Sequence, residues 1–304
     1  MCKAFKRICR MSQEDLKSYL VSRLDETHDD VIVKDGFVYA QGKFPVLLVA
    51  HLDTVHKELP KTIEYNRDTD TISSPEGIGG DDRCGVYMIL EIVKQYNCSV
   101  LFCEDEEIGG IGAEKFAKTR FAQKLKFNYI IEFDRRGSKD AVFYDCDNPD
   151  FEHFITDSYY KTALGSFSDI SVIAPVLGCA AVNLSCGYYN AHTTNEFVVL
   201  SEMERSIYEA CLILDKTTED DKFEYIEAVY EYGSGWFDGF GPIGYGDDDD
   251  QKYYIIEFYD NQWNECYSEV YARSEEEAVG KFCMDNPEIP FGNVYFIQEE
   301  PEMV

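Results

Sequence analysis

Four stretches of this chain are apolar at nearly every position: "FPVLLVA" at 44–50, "CSVLFC" at 98–103, "FNYIIEF" at 127–133 and "AAVNL" at 180–184. A strand with one wet face alternates apolar and polar residues. A strand that is apolar throughout is covered on both faces, as in parallel sheets packed between helices. Helical segments are expected between these runs. Ser12 and Asp15 form a capping box for one reaching about Leu24. "GIGGDDRCGVYMILEIVKQY" enters another from a glycine-rich loop, and others are expected near 111–124, 149–160 and 201–217. Hairpins are expected at "VIVKDGFVYA", about Asp35-Gly36, and at "KTIEYNRDTDTISS", with a further strand at "AVFYD". The fold class is therefore α/β, a mixed and largely parallel sheet with helices on both faces.

The composition changes after residue 220. "GSGWFDGFGPIGYGDDDDQ" is rich in Gly and Asp and reads as a linker or long loop over 221–251. Beyond it, "KYYIIEFYD" and "ECYSEVYAR" alternate like antiparallel strands, Ser274 and Glu277 cap a helix, and "NVYFIQ" is a last strand. The expected division is a catalytic domain at 1–220 and a small ββαβ accessory module at 252–304, whose role is docking of a protein partner if it has one. The Asp247–Asp250 run lacks the spaced ligands and glutamate of a calcium loop and reads as solvated.

With 58 acidic and 28 basic side chains, the net charge is −30. That argues against nucleic acid and anionic membrane as partners, since both select basic surface. No run approaches the ~20 apolar residues of a membrane span, and the basic start lacks the apolar core of a signal peptide. The 11 cysteines include no CxxC pair, and Cys98, Cys103, Cys179 and Cys211 sit in apolar runs. They read as reduced thiols of a cytoplasmic protein. The compact chain with an acidic appendage also has the style of a phage-encoded protein acting in a host cytoplasm.

Polar residues recur where the apolar strands end, the edge at which open α/β sheets bind ligands. The first run delivers His51 and Asp53; the glycine-rich loop delivers Asp81 and Asp82; the second run delivers Glu106 and Glu107 in "CEDEE". The third delivers Asp134, and the loop after the fourth delivers His192 in "GYYNAHTTNE". Two imidazoles and several carboxylates at one edge suit zinc or a similar divalent cation. Adjacent Glu106 and Glu107 need not point the same way, so one can ligate while the other handles protons. His28, His56 and His153 fall outside these motifs and read as surface residues, and Cys84 reads as a packed thiol.

The ordered set "HLDTV", "GGDDRCG", "EDEEIGG", "EFDRRG" and "HTTNE" resembles the co-catalytic dizinc peptidase clan over residues 10–217, with the family of peptidase T, acetylornithine deacetylase and succinyl-diaminopimelate desuccinylase the nearest in pattern. The resemblance implies that His51, Glu107, Asp134 and His192 are terminal ligands of two divalent ions, most simply zinc. It implies that Asp81 bridges the two ions, with Asp82 as the alternative register. Glu106 then matches the general base, and Asp53 the residue that orients the His51 imidazole. Ser168 and Asp169 resemble a segment that lines the site. That family inserts a lid domain before the last histidine, but here only residues 135–191 separate Asp134 from His192, too few for core and lid together. Without a lid, the oxyanion donor must come from within, and Tyr159, Tyr160, Tyr188 and Tyr189 are candidates. Arg135, beside Arg136, either offsets the surrounding acid or holds a substrate carboxylate.

The expected activity is metal-dependent hydrolysis of an amide bond, by an aminopeptidase or small-peptide peptidase working as a monomer. The alternatives are a deacylase of N-acyl amino acids and, from another class, a non-catalytic binding protein on a peptidase scaffold.

Overall fold

The computed structural model describes residues 2–165 and 167–228, together with 252–259, 265–272, 278–279, 282 and 294–300. It divides into two compact units, Met1–Leu164 with Ser168–Glu227, and Gly165–Phe167 with Ala228–Val304.

The larger unit contains strands β1 (Asp30–Lys34), β2 (Phe37–Gln41), β3 (Phe44–His51), β4 (Glu64–Asn66), β5 (Thr71–Ser73), β6 (Cys98–Cys103), β7 (Tyr129–Arg135), β8 (Asp140–Val142), β9 (Lys161–Ala163), β10 (Ala181–Ser185), β11 (Tyr188–Tyr189) and β12 (Phe197–Val199). Its helices are α1 (Cys2–Cys9), α2 (Gln13–Leu24), α3 (Gly80–Ile92), α4 (Ile111–Ala117), α5 (Pro149–Thr156), α6 (Asp169–Leu177) and α7 (Leu200–Lys216). Eight strands form one sheet in the order β1-β2-β6-β3-β7-β10-β8-β9. The four solid apolar runs are its centre, β6-β3-β7-β10, and all three pairings there are parallel. Antiparallel pairing of β2 on β6 and β8 on β10 closes the flanks.

Strand geometry explains why these runs carry no polar alternation. Successive side chains point to opposite faces, and both faces are covered. Leu48 and Ala50 of β3 pack with Val86 and Ile89 of α3. Leu47 and Val49 pack on the other face with Phe116 of α4 and with Ile170 and Ile173 of α6. A second, antiparallel sheet, β11-β12-β5-β4, ties the chain after β10 to the 64–73 hairpin. That tie carries the His192 loop over the polar ends of the central strands.

Several elements differ from expectation. The helix expected over 111–124 ends at Ala117, followed by a single 3-10 turn at Ala122–Lys124. The helix from Pro149 stops at Thr156, and β9 follows. Helix α6 was not legible, because "SVIAPVL" combines β-branched residues with Pro175. Proline in a helix forfeits a backbone bond. Burial of Ile170, Ile173, Ala174 and Leu177 outweighs that loss, and left-handed Gly178 (φ 67°) ends the helix. The described residues between Asp134 and His192 form β8, α5, β9, α6, β10 and β11, with no inserted domain among them.

The larger unit also continues past residue 220, where composition places a linker. Phe223 N–H donates to the Asn128 carbonyl (2.9 Å), Ala180 N–H to the Phe223 carbonyl (2.8 Å) and Asp147 N–H to the Ile226 carbonyl (2.7 Å). The Phe223 ring packs on Phe154 and Phe151, with centroids 5.0 and 5.1 Å away. Averaging over a charged stretch hides these anchors. In the smaller unit, β13 (Lys252–Tyr259) lies between β14 (Glu265–Ala272) and β15 (Val294–Glu300), all antiparallel. Tyr254, Ile256 and Phe258 face a core with Ala278, Phe282 and Val294. The Ser274–Glu277 cap and the Asp247–Asp250 run lie outside the described residues.

A chain ending after Ala228 is therefore expected to unfold cooperatively with the larger unit intact. Ending at Asp220 should cost about 2 kcal/mol through loss of the half-buried Phe223, or roughly 4–8 °C in Tm. Calorimetry of the two truncations checks this; equal Tm values would show that 221–228 contributes nothing.

Candidate metal centre

His51 ends β3 with its side chain fully buried. Its Nδ1 lies 3.1 Å from Asp53 Oδ1, and its Nε2 lies 2.9 Å from Asp81 Oδ1 and 3.5 Å from Asp134 Oδ1. Asp53 also accepts the backbone N–H groups of Glu106 (3.0 Å) and Glu107 (3.1 Å). One carboxylate thus fixes both the imidazole and the loop that presents the two glutamates.

Asp81 lies where left-handed Gly79 (φ 64°) turns the chain into α3, and its own backbone and that of Asp82 are not helical. The two acids part ways. Asp81 faces the imidazoles; Asp82 accepts from His51 N–H (3.2 Å) and Gly85 N–H (2.8 Å) and serves the scaffold. The other Asp81 oxygen, Oδ2, lies 3.2 Å from His192 Nε2, which is 3.1 Å from Glu107 Oε2. His192 has a left-handed backbone (φ 64°) on a loop. Two groups result, His51–Asp81–Asp134 and Asp81–Glu107–His192, each with its ligand atoms within 4.8 Å of one another, and they share Asp81.

The four acids of "CEDEE" separate by partner. Glu104 accepts from Lys17 Nζ (2.5 Å) and Gly36 N–H (2.8 Å), and Asp105 from Gln13 Nε2 (2.9 Å). Glu107 contacts His192 and keeps Oε1 buried with no hydrogen-bond partner. The Glu106 carboxylate makes no hydrogen bond among the described residues. An orphaned buried carboxylate oxygen and a set of imidazole and carboxylate donors without thiolate fit a pair of divalent cations of the zinc type.

The electrostatics show how strongly the centre calls for positive charge. Burial alone would lower the His51 pKa, but Asp134, Asp53 and Asp81 more than reverse this and raise it well above the ordinary value. Asp81, then Glu107, push His192 up to about 12. Burial, then repulsion from Asp81, raises Asp134 to about 7. Burial likewise raises Glu106 well above the usual carboxylate range. Asp81 moves the other way, because His192 and His51 overcome its burial.

The remaining expected site residues fall into two sets. Ser168 hydroxyl donates to Asp134 Oδ2 (3.3 Å) and to Glu132, and Tyr188 hydroxyl to Asp134 Oδ1 (3.3 Å). Asp169 is buried behind them with both oxygens lacking partners. Away from the centre, Tyr160 hydroxyl reaches the Ser206 carbonyl (3.5 Å), Tyr189 bonds Glu202 (2.6 Å), and Tyr159 lies under Arg205. Arg135 Nε is bound to Asp140 (3.1 Å).

Two histidines expected at the surface are not there. His28 is buried, with Nε2 2.8 Å from the Cys98 carbonyl, and His56 Nε2 lies 2.8 Å from Glu196. Each ring satisfies a buried acceptor, and only His153 of the three is exposed. Sequence reasoning also passed over Glu132, Asn183, Arg83 and Glu196. Asn183 bonds both the N–H and the carbonyl of Asp134 (2.8 and 2.9 Å). Arg83 is buried, donating to the Leu52 and Met11 carbonyls. The signal available for Glu132 and Asn183 was a polar residue inside an otherwise apolar strand.

Residues 38–171 match the family described as "Peptidase family M28", a span that takes in every candidate ligand except His192. Among solved structures, the chain is similar to the aminopeptidase PepT of Bacillus cereus (13% identity, TM-score 0.56, covering 70% of this chain and 97% of that one). It is similar to a tripeptidase of Staphylococcus aureus (13%, TM-score 0.57, 70% and 96%) and to an aminopeptidase of the archaeon Desulfurococcus kamchatkensis (14%, TM-score 0.57, 72% and 95%). None of the curated proteins matches the chain. Fold, ligand pattern and family match together define the class: a metallopeptidase of the co-catalytic peptidase clan. The narrower grouping with acetylornithine deacetylase, succinyl-diaminopimelate desuccinylase and peptidase T is not carried by these matches; the family matched is M28.

Imidazole binds a cation only as the neutral base, so raised histidine pKa values extend upward the range in which protons compete. Cation affinity should therefore climb with pH through the neutral range, and loading should release protons. Zinc titration calorimetry of stripped protein, in two buffers of unlike ionisation enthalpy, counts them. An affinity flat between about pH 6 and pH 8, with no release, would count against this ligand set.

Proposed function

We propose that this chain is an aminopeptidase of short peptides that works with two zinc ions. One is assigned to His51, Asp81 and Asp134, the other to Asp81, Glu107 and His192. The observation that carries this reading is the Asp81 carboxylate, with one oxygen at His51 and the other at His192. Held by these residues, divalent cations would supply Lewis acidity toward a peptide carbonyl and would lower the pKa of water toward neutrality.

The chain's own residues supply the rest. Glu106, with no hydrogen bond to hold its carboxylate, takes the proton from the attacking water and returns it to the leaving amine. Its burial, which raises its pKa, suits a group that must both accept and give a proton near neutrality. Asp53 keeps the Glu106–Glu107 backbone and the His51 ring in fixed relation through three contacts. Tyr188 is the phenol best placed to donate to the oxyanion. Deacylation of N-acyl amino acids fits less well, because it calls for a cation to grip a free carboxylate and Arg135 is already bound to Asp140. With no inserted domain among the described residues, the catalytic unit is proposed to act as a monomer.

Glu106→Gln should keep both zinc equivalents and abolish turnover of a dipeptide, whereas Glu107→Gln should also lose metal. Tyr188→Phe should keep the metal and lower turnover by about 10²–10³. Elemental analysis beside steady-state assays on dipeptides and N-acyl amino acids tests all three. Near-normal turnover in Glu106→Gln would remove the base assignment, and a preference for N-acyl substrates would replace the aminopeptidase reading.

A further inference from the structure

Glu196 is fully buried, four residues after His192. Its Oε1 accepts the Asp81 N–H at 2.9 Å; its Oε2 accepts the Gly79 N–H at 2.8 Å and lies 2.8 Å from His56 Nε2. Facing a carboxylate, that ring nitrogen is the donor. The left-handed turn at Gly79 (φ 64°, ψ 42°) aims the N–H groups of residues 79 and 81 the same way and makes a small anion receptor. Gly80 has no room for a side chain. A Cβ there would lie 3.1 Å from Glu196 Oε1 and 2.8 Å from both Tyr188 Cβ and Val198 Cγ2. The glycine pair of "GGDD" is therefore shaped to receive the glutamate of "HTTNE".

The two ligand groups are not held alike. His51 and Asp134 lie on central strands of the sheet. Asp81, Glu107 and His192 lie beyond strands, and the His192 side chain is 47% exposed. Glu196 joins the backbone of Asp81 to the segment that carries His192, and β12 begins at the next residue. His56, from the loop after β3, holds the same carboxylate from a third direction.

We propose that Glu196, held in turn by His56, is the positioning residue that sets Asp81 and His192 at ligand distance from one another. Its loss loosens cation binding at the Asp81–Glu107–His192 group more than at the His51–Asp81–Asp134 group. This rests on the reading of the centre as a metal pair.

The test is zinc titration calorimetry of the full stripped chain, with hydrogen exchange read at single amides. Removing an outer-shell partner typically costs about 10–100-fold in metal affinity. Glu196→Gln should lose that factor at one zinc equivalent and weaken the other, which shares Asp81, distinctly less. His56→Gln, which can still present an N–H to Oε2, should bind zinc as the unaltered chain does, and His56→Ala should not. A folded Glu196→Gln that binds both equivalents normally, or loses both equally, overturns the assignment. If the unaltered chain takes up no zinc, the metal-pair reading falls and exchange alone decides the clamp. The Gly79 and Asp81 amides should then exchange at least about tenfold faster in Glu196→Gln or Glu196→Ala. Unchanged protection at both amides overturns it.

Discussion

Asp81 places one carboxylate oxygen against His51 and the other against His192. The rest of the centre depends on that shared group. His51 comes from the middle of the sheet and His192 from a loop carried over it by the small antiparallel sheet, and Asp81 is where they meet. A carboxylate held by both oxygens has little freedom to turn, so its position must be fixed by its backbone. The left-handed Gly79, the absent Cβ at Gly80 and the buried Glu196 all act on that backbone.

The centre concentrates negative charge where water is scarce. Asp81, Glu106, Glu107, Asp134, Glu132 and Asp169 lie at or just behind one sheet edge, three of them buried and three partly so. Left to themselves these groups resist ionisation; burial raises Glu132 well above the usual range and Asp169 to about 6. Protonated imidazoles answer part of this charge, and bound divalent cations would answer more of it. The same excess that makes the arrangement costly as a fold makes it a strong cation receptor. The acids not needed for that purpose are dealt with locally: Glu104 by Lys17, Asp82 by two backbone N–H groups.

Division of labour between Glu106 and Glu107 follows from one outer carboxylate. Asp53 takes the N–H groups of both residues, so the backbone cannot turn to exchange their roles. Glu107 is then directed to His192, and the Glu106 carboxylate is left without a hydrogen bond among the described residues, as the proposed base role needs. Behind Asp134, hydroxyls of Ser168 and Tyr188 and the amide of Asn183 restrain this further candidate ligand. The reactive groups are thus held by neighbours that are themselves anchored in strands or helix ends, which is what a centre needing sub-ångström placement requires.

The amino-acid sequence by itself determined the central sheet and the edge that carries the chemistry. Solid apolar runs are buried on both faces wherever they occur, and a strand that ends in His-x-Asp or Glu-Glu presents those groups at its end. Local chemistry was enough for that. Tertiary structure alone decided which member of each acidic pair turns inward, which of four tyrosines reaches Asp134, and that His56 is tethered. It also made α6 a helix despite Pro175, and joined Glu196 to Asp81 across 115 positions of sequence. The physical reason is the same in each case. Periodicity and capping report on neighbours along the chain, whereas the direction of a side chain at a strand end is set by partners from distant loops.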